Sequence, residues 1–153
     1  MFEKFAQDTR RIVGYAMEEA RSRGDKRLGT EHLLLGALHE AGAAKVLGVS
    51  LDQAREAARR LDSAALKAIG LEVGGLPVAK MPVRGRKPPF SSGARDVMAA
   101  MVGYSAKEKS RKITTGNLLV SLMEREEHDP ASALLKELNV DRTAVRDRLL
   151  SAG

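Results

Sequence analysis

The chain has 153 residues, a formal net charge of +6, 43% hydrophobic residues and only 3% aromatic residues, so we expect one domain with an aliphatic core of packed helices. It contains no cysteine, which excludes disulfides, thiolate metal sites and cysteine nucleophiles. No apolar run reaches the roughly 20 residues that span a bilayer, and we expect a monomeric, cytoplasmic protein without membrane contact.

The first predicted helix covers residues 4–23, where apolar residues recur at helical spacing. Residues 25–29 interrupt this pattern, and the stretch "GTEHLLLGALHE" follows from Gly29. We expect Thr30 to cap a second helix and Glu31 to lie favourably at the positive end of its dipole. The apolar residues at 33–38 then form the buried face of that helix.

Two further helices and a connector follow. A short helix around residues 43–47 should end at Gly48, which can adopt the left-handed conformation. Ser50 is expected to cap a fourth helix that runs to about Leu61. The connector is predicted to hold a short helix at 63–69 and is otherwise rich in glycine and proline.

From Phe90 onward the sequence repeats its own beginning. Residues 90–125 align without a gap with residues 5–40 at a constant offset of 85, and after a six-residue insertion the similarity resumes at an offset of 91. Duplicated units usually bury apolar faces against each other. We therefore predict an all-α domain of two four-helix repeats packed with pseudo-twofold symmetry. The predicted parts are repeat one at 1–61, a Gly/Pro/basic linker at 62–89 and repeat two at 90–153.

The segments "MFEKF", "GTEHLLLGALHE" and "AAKVLGVSLDQAR" resemble the N-terminal (double Clp-N) domain of Clp-family AAA+ unfoldases, in particular of ClpC. The resemblance covers almost the whole chain and implies a non-enzymatic module that binds substrate proteins, peptides or adaptors, and delivers them to a Clp ATPase or sequesters them from it. The sequence lacks a G-x-x-x-x-G-K-[ST] stretch to cradle phosphates. We therefore expect a stand-alone Clp N-domain that needs no cofactor.

The resemblance also implies a ligand. In ClpC proteins of Gram-positive bacteria this domain binds phosphoarginine, with one pocket per repeat. A glutamate of the GTEH motif receives the guanidinium group, while a threonine after the opening aromatic residue and nearby backbone amides receive the phosphate, which suits the chemistry of both groups.

Carried over by position, the two repeats each keep half of this pair. The first repeat retains the glutamate as Glu31 but has Ala6 in place of the threonine, whereas the second retains a hydroxyl as Ser91 but has Gly116 in place of the glutamate. The candidate ligand-binding residues are Glu31 and Thr30 in the first repeat, and Ser91 and Arg95 in the second. Alternatively, Glu31 only stabilises the start of its helix and Ser91 only caps one. If they bind, recognition should be asymmetric and centred on the first repeat.

A second surface follows from the same resemblance. In mycobacterial ClpC the domain is the target of cyclic-peptide antibiotics, which occupy the region where the first helices of the two repeats meet. The retained positions are Phe2, Arg10, Val13, Phe90 and Arg95, while Met17, Lys87 and Ala99 depart from the pattern. Packing of Phe2 and Phe90 at the repeat interface explains these two residues equally well, so binding of such peptides is an open alternative.

Other chemistry has little support in the sequence. His32 and His39 lie two helical turns apart, about 10 Å, which is too far to share a metal ion without further ligands. His128 has no serine placed to complete a triad. We therefore expect neither a metal site nor catalysis.

The alternative function is that of a basic nucleic-acid-binding regulator. A strip of positive charge in the linker supports it, at Lys80, Arg84, Arg86 and Lys87. The scarcity of aromatic residues for base stacking and the lack of a recognition helix count against it, so we regard nucleic acid as the less favoured partner.

Overall fold

Eight α-helices make up most of the described part of the chain, which in this computed structural model comprises residues 6–70, 87–107 and 114–151. They are α1 (Gln7–Ser22), α2 (Thr30–Ala37), α3 (Ala41–Leu47), α4 (Leu51–Ala68), α5 (Ser92–Lys107), α6 (Thr115–Met123), α7 (Pro130–Glu137) and α8 (Arg142–Ser151). Helices α1 to α4 and α5 to α8 follow the order expected from the duplicated sequence. The predicted all-α fold of two four-helix repeats is confirmed.

The junction between α3 and α4 is as the sequence predicts, but α4 is longer. Gly48 ends α3 with a φ of 72°, and the Ser50 hydroxyl caps α4 by accepting a hydrogen bond from the Gln53 amide. The predicted end near Leu61 and the separate helix at 63–69 are wrong, because α4 continues to Ala68. Alanine and leucine, which favour helix, fill this stretch and no breaker interrupts it.

The start of α2 differs from the prediction by one residue. Gly29 is the N-cap and Thr30 is already in the first turn, so Thr30 does not cap the helix. Instead, the imidazole Nδ1 of His32 accepts a hydrogen bond from the Gly29 amide at 2.8 Å. In the second repeat Thr114 caps α6 and accepts from the Asn117 amide. In both repeats the cap therefore stands one residue before the aligned threonine.

The apolar faces of both repeats meet in one continuous core. The predicted buried face at residues 33–38 is confirmed, because its leucines and alanine are buried. Gly36 lies where α1 crosses α2, and a Cβ atom there would come within 2.5 Å of the Ile12 carbonyl oxygen. The largest fully buried side chains come from both repeats: Ile12, Leu28, Leu33, Leu34, Leu35, Met101, Leu118, Leu122, Leu134, Leu135 and Val97.

The two aligned threonines, Thr30 and Thr115, each join the repeats through a carboxylate. Thr115 donates its hydroxyl proton to Asp8 of α1 at 2.9 Å, and Thr30 donates to Asp129, the N-cap of α7, at 2.5 Å. The position aligned with Asp8 is Gly93, which has no carboxylate and lies against Thr30. Asp129 belongs to the insertion of the second repeat. The insertion therefore supplies the carboxylate acceptor for Thr30 that Gly93 cannot provide.

A short backbone pairing also joins the repeats. Leu28, just before α2, forms a parallel bridge with Phe90, just before α5. The Leu28 amide donates to the Pro89 carbonyl and the Ser91 amide donates to the Leu28 carbonyl, both at 2.8 Å. Because this pairing satisfies a buried backbone segment, it fixes the distance between the entrances to α2 and α5.

A buried carboxylate ties the helices of the first repeat together. Glu19 of α1 is only 3% exposed and accepts hydrogen bonds from Arg55 of α4, while His39 Nε2 lies 2.9 Å from its Oε1. Tyr15 stacks on the His39 ring with a centroid distance of 4.2 Å. Burial raises the pKa of Glu19, but the hydrogen bonds with Arg55 and His39 outweigh this effect, so the pKa lies below the usual carboxyl value.

In the second repeat the carboxylate that pairs with the aligned arginine belongs to Glu124, the C-cap residue of α6. The residues aligned with Glu19, His39 and Arg55 are Tyr104, Glu124 and Arg146. Glu124 accepts a hydrogen bond from the Tyr104 hydroxyl and lies 3.5 Å from Arg146 Nε. Each repeat therefore places a carboxylate beside the aligned arginine, buried in the first repeat and exposed in the second.

Replacing Glu19 with glutamine should lower the free energy of unfolding by about 1 to 3 kcal/mol at pH 7, because Arg55 loses its charged partner. Since the pKa of Glu19 is lowered in the folded state, its contribution is full above the ordinary carboxyl pKa of 4.5 and is lost as the pH falls through the lowered value. Urea unfolding followed by far-UV circular dichroism at neutral and acidic pH measures both effects.

Glu18→Gln is the matched control, because Glu18 is the exposed neighbour on the same helix. It should leave the stability nearly unchanged and reports the general effect of removing one charge. Equal stability of Glu19→Gln and Glu18→Gln at pH 7 would contradict a structural role for the buried pair.

Candidate functional site: a cleft between the two repeats

A cleft of about 450 Å³ opens where the entrance to α2 faces the second repeat. Most of its walls come from the loop between α1 and α2 and from the first turn of α2, with single contributions from α4, from the entrance to α5 and from the start of α7. The lining residues are Arg23, Asp25, Lys26, Arg27, Gly29, Glu31, His32, Asp62, Ser91 and Pro130. The cleft is therefore shared by both repeats.

The Glu31 carboxylate lines this cleft and has no cationic partner in the described part of the chain. Its side chain is 26% exposed, and no lysine or arginine among the described residues lies within ion-pairing distance. The carboxylate folds over Gly29, where a Cβ atom would come within 1.9 Å of the Glu31 Oε1 atom. Burial raises the pKa of Glu31 above its usual value. Glycine at position 29 is thus required for Glu31 to occupy this place.

His32 is next to Glu31 but does not donate a hydrogen bond to its carboxylate. Its Nδ1 accepts the Gly29 amide proton, so the ring proton belongs on Nε2, which lies 2.7 Å from Asp25 Oδ2. The Glu31 Oε1 atom is 3.2 Å from the same Nδ1, a nitrogen whose lone pair is already in use. His32 therefore anchors the loop to the helix rather than supplying a donor to Glu31.

Arg23 is the C-cap of α1, where the loop begins, and the carboxylates of two aspartates hold it. Its Nε lies 3.0 Å from Asp25 Oδ2 and its Nη2 lies 2.8 Å from Asp62 of α4. Asp25 thereby bridges Arg23 and His32, and the Arg23 guanidinium is held between two carboxylates. Glu31 remains outside this network.

Ser91 reaches the cleft through the bridge between Leu28 and Phe90. Its hydroxyl oxygen accepts a hydrogen bond from the Ala94 amide at 3.1 Å, so the alternative expectation that Ser91 caps a helix is met. A capping hydroxyl still carries a donor proton. Ser91 can therefore cap α5 and donate into the cleft at the same time.

The structure corrects the grouping of Glu31 and Ser91 made from the sequence. They were expected in separate pockets, one per repeat, but both line the same cleft. The contact between Thr115 and Asp8 correspondingly brings the start of α6, with Gly116, next to the start of α1, where Ala6 lies. Pseudo-twofold packing crosses the repeats, so the cleft takes its carboxylate from the first repeat and its hydroxyl from the second.

The other predicted site residues lie elsewhere. Thr30 is buried and its hydroxyl is engaged with Asp129 and the Ala131 amide, and Arg95 is exposed on α5 outside the cleft lining. Among the cyclic-peptide positions, Arg10 is exposed, Val13 is buried and Phe90 is half-buried, while Phe2 lies outside the described residues. The cyclic-peptide surface stays a prediction.

Several lining residues were not singled out from the sequence. Lys26 and Arg27 stand shortly before the GTEH motif, separated from it by Leu28, and this position was the signal in the sequence that could have identified them. Asp62 and Pro130 reach the cleft only through tertiary packing of α4 and α7. No local pattern marks them.

The remaining candidate chemistry can be located in the described residues. His32 and His39 pair with different carboxylates, Asp25 and Glu19, and the described part of the chain contains no group of three or more potential ligands for a metal ion. None of its helices is both long and apolar enough to cross a bilayer. Of the basic strip, Lys87 is exposed and Lys80, Arg84 and Arg86 lie outside the described residues.

Comparison with known proteins places this arrangement in context. The sequence model of the family described as the Clp repeat (R) N-terminal domain matches residues 4–138. An ATP-dependent Clp protease ATP-binding subunit ClpA homolog of Guillardia theta is 30% identical over 98% of this chain and 17% of its own length. The chloroplastic chaperone protein ClpC of Pisum sativum is 28% identical over 98% of this chain and 15% of its own length. The chain thus spans about a sixth of these relatives.

The fold is similar to that of a solved structure of the N-terminal domain of the chaperone ClpD from Arabidopsis thaliana. The two share a TM-score of 0.75 and 23% sequence identity, over 99% of this chain and 96% of the other. This likeness agrees with the two-repeat, all-helical architecture described above.

Replacing Glu31 with glutamine should raise the free energy of unfolding by about 0.5 to 1 kcal/mol at pH 7, because it removes a buried charge without a cationic partner. Since folding raises the pKa of Glu31, the charged form costs stability at neutral pH and the cost vanishes once folded and unfolded states are both protonated. The gain should therefore close as the pH falls below the ordinary value of 4.5.

Urea unfolding of wild type and variant across this pH range measures the difference. Glu126→Gln, at an exposed position outside the cleft, is the control for loss of one charge and should show no such trend. A Glu31→Gln protein that is less stable than wild type at pH 7 would contradict the uncompensated carboxylate.

Proposed function

The chain belongs to the Clp repeat (R) N-terminal domain family, and from this membership we propose that it is a non-enzymatic module that binds proteins or peptides of the Clp proteolysis system. Its partners would be substrates, adaptors or a Clp ATPase, and binding would deliver cargo to that ATPase or sequester cargo from it. The cleft between the repeats is the site where we place this binding, because it is the place where both repeats contribute polar groups to one cavity.

The ligand group that this cleft suits best is phosphoarginine. A guanidinium group presents a planar set of N–H donors that pairs with a carboxylate, and Glu31 offers a carboxylate without a cationic partner. The attached phosphate needs donors close by, and the Ser91 hydroxyl lines the same cleft. The single observation that carries the proposal is this meeting of the unpaired Glu31 carboxylate with Ser91.

The second, pseudo-symmetric position would be inactive. There the hydroxyl is replaced by Ala6 and the carboxylate by Gly116, so neither half of a phosphoarginine would find its partner. The proposal is therefore one competent site per chain, built from the acid of the first repeat and the hydroxyl of the second.

Calorimetric titration with a phosphoarginine peptide should give one site per chain. Glu31→Gln should weaken binding by about 10- to 100-fold, because a charge-assisted hydrogen-bond pair is lost. Ser91→Ala should weaken the same site, and Ser91→Thr should restore it by returning the hydroxyl. Because both residues contact one ligand group, the double variant should lose less than the product of the single losses.

Ser92→Ala and Glu126→Gln are matched controls at exposed positions outside the cleft, and both should bind as wild type does. Far-UV melts verify folding, since Ser91→Ala also removes the cap of α5. Equal affinity of wild type and Glu31→Gln, two sites per chain, or failure of every protein to bind would each overturn the proposal.

A further inference from the structure

The charges around the cleft are not all satisfied within the protein. Arg23, Asp25, Asp62 and His32 form a connected network in which two carboxylates hold the Arg23 guanidinium. Glu31 has no lysine or arginine partner among the described residues. The other two charged residues that line the cleft are both cations.

Lys26 and Arg27 form the rim of the cleft. Both are exposed and both line the cavity, yet neither forms an ion pair with any described residue. They follow each other directly on the loop that leads to Gly29, and Glu31 follows in the first turn of α2. The cleft is therefore lined by a half-buried carboxylate and by two exposed cations, none of which has an ion-pair partner of the opposite charge from a lysine, arginine or acidic residue among the described residues.

This distribution of charge favours a ligand with a positive group that reaches Glu31 and negative groups that lie beside Lys26 and Arg27. A cationic group would enter towards Glu31, and anionic groups beside it would lie against the rim. Phosphoarginine supplies both charges in one side chain, but its phosphate is joined directly to the guanidinium group and so remains with it, near Ser91. Cations at the rim are then available to residues next to the phosphoarginine in the peptide.

We propose that Lys26 and Arg27 are specificity residues that favour peptides in which acidic side chains flank the recognised residue. This inference rests on the proposed function, because it assumes that the cleft binds a peptide through Glu31. The partner class is accordingly an acidic segment around a phosphoarginine. Rim charges act mainly on encounter and on selectivity, and their effect weakens with salt.

The test uses three peptides that differ only in the residues beside one phosphoarginine: aspartate, serine or lysine. Wild type should bind the aspartate peptide about three- to tenfold more tightly than the serine peptide, and the lysine peptide more weakly still, at low ionic strength. The preference should disappear in Lys26→Ser/Arg27→Ser and persist in Lys45→Ser/Arg148→Ser. The latter pair removes the same charges at exposed positions outside the cleft.

The outcomes separate the two proposals. Equal binding of all three peptides by wild type, or a preference that survives in Lys26→Ser/Arg27→Ser, overturns the role of the rim while the serine peptide still reports Glu31-dependent binding. A preference lost equally in both double variants shows a general effect of net charge and also overturns it. Failure of every peptide to bind overturns both the rim and the proposed function.

Discussion

Two backbone hydrogen bonds of Leu28 determine the geometry of this domain. The Leu28 amide donates to Pro89 and its carbonyl accepts from Ser91, so the entrance to α2 and the entrance to α5 run side by side. A helix entrance exposes unsatisfied amides and carries its capping residues, and here two entrances are held within one bridge. The residues that follow the bridge, Glu31 on one side and Ser91 on the other, meet in the cleft as a direct result.

The duplication preserves a framework and varies its polar contacts. In the first repeat an arginine pairs with a carboxylate on α1, and in the second the aligned arginine pairs with the carboxylate of the α6 C-cap residue. Asp8 receives a threonine hydroxyl, whereas at the aligned Gly93 the insertion supplies Asp129 instead. Apolar packing tolerates such exchanges as long as each buried donor or charge keeps a partner. Under the proposed function, ligand-binding groups have no such internal requirement, which agrees with the absence of a hydroxyl at Ala6 and of a carboxylate at Gly116.

The sequence predicted what depends on periodicity and missed what depends on packing. The repeat offsets and the leucines of α2 were enough to predict two four-helix units with a shared core. The end of α4 and the cap of α2 were missed, because helix-favouring residues run past Leu61 and because His32 takes over the capping role from Thr30. The site was half predictable. Glu31 and Ser91 were identified as candidates, but only the crossing of the repeats brings them together, and Asp62 reaches the cleft from a distant helix.

Within the described residues, Glu31 stays without a cationic partner because Arg23 and His32 donate to other carboxylates. An uncompensated carboxylate usually recruits a nearby cation or takes up a proton, and Arg23 lines the same cleft as Glu31. Asp25 and Asp62 hold the Arg23 guanidinium between them, while His32 directs its proton to Asp25. Each contact stabilises the loop and, in doing so, keeps a donor away from Glu31. The cost of an unpaired carboxylate is thereby maintained, and under the proposed function the guanidinium group of the ligand relieves it.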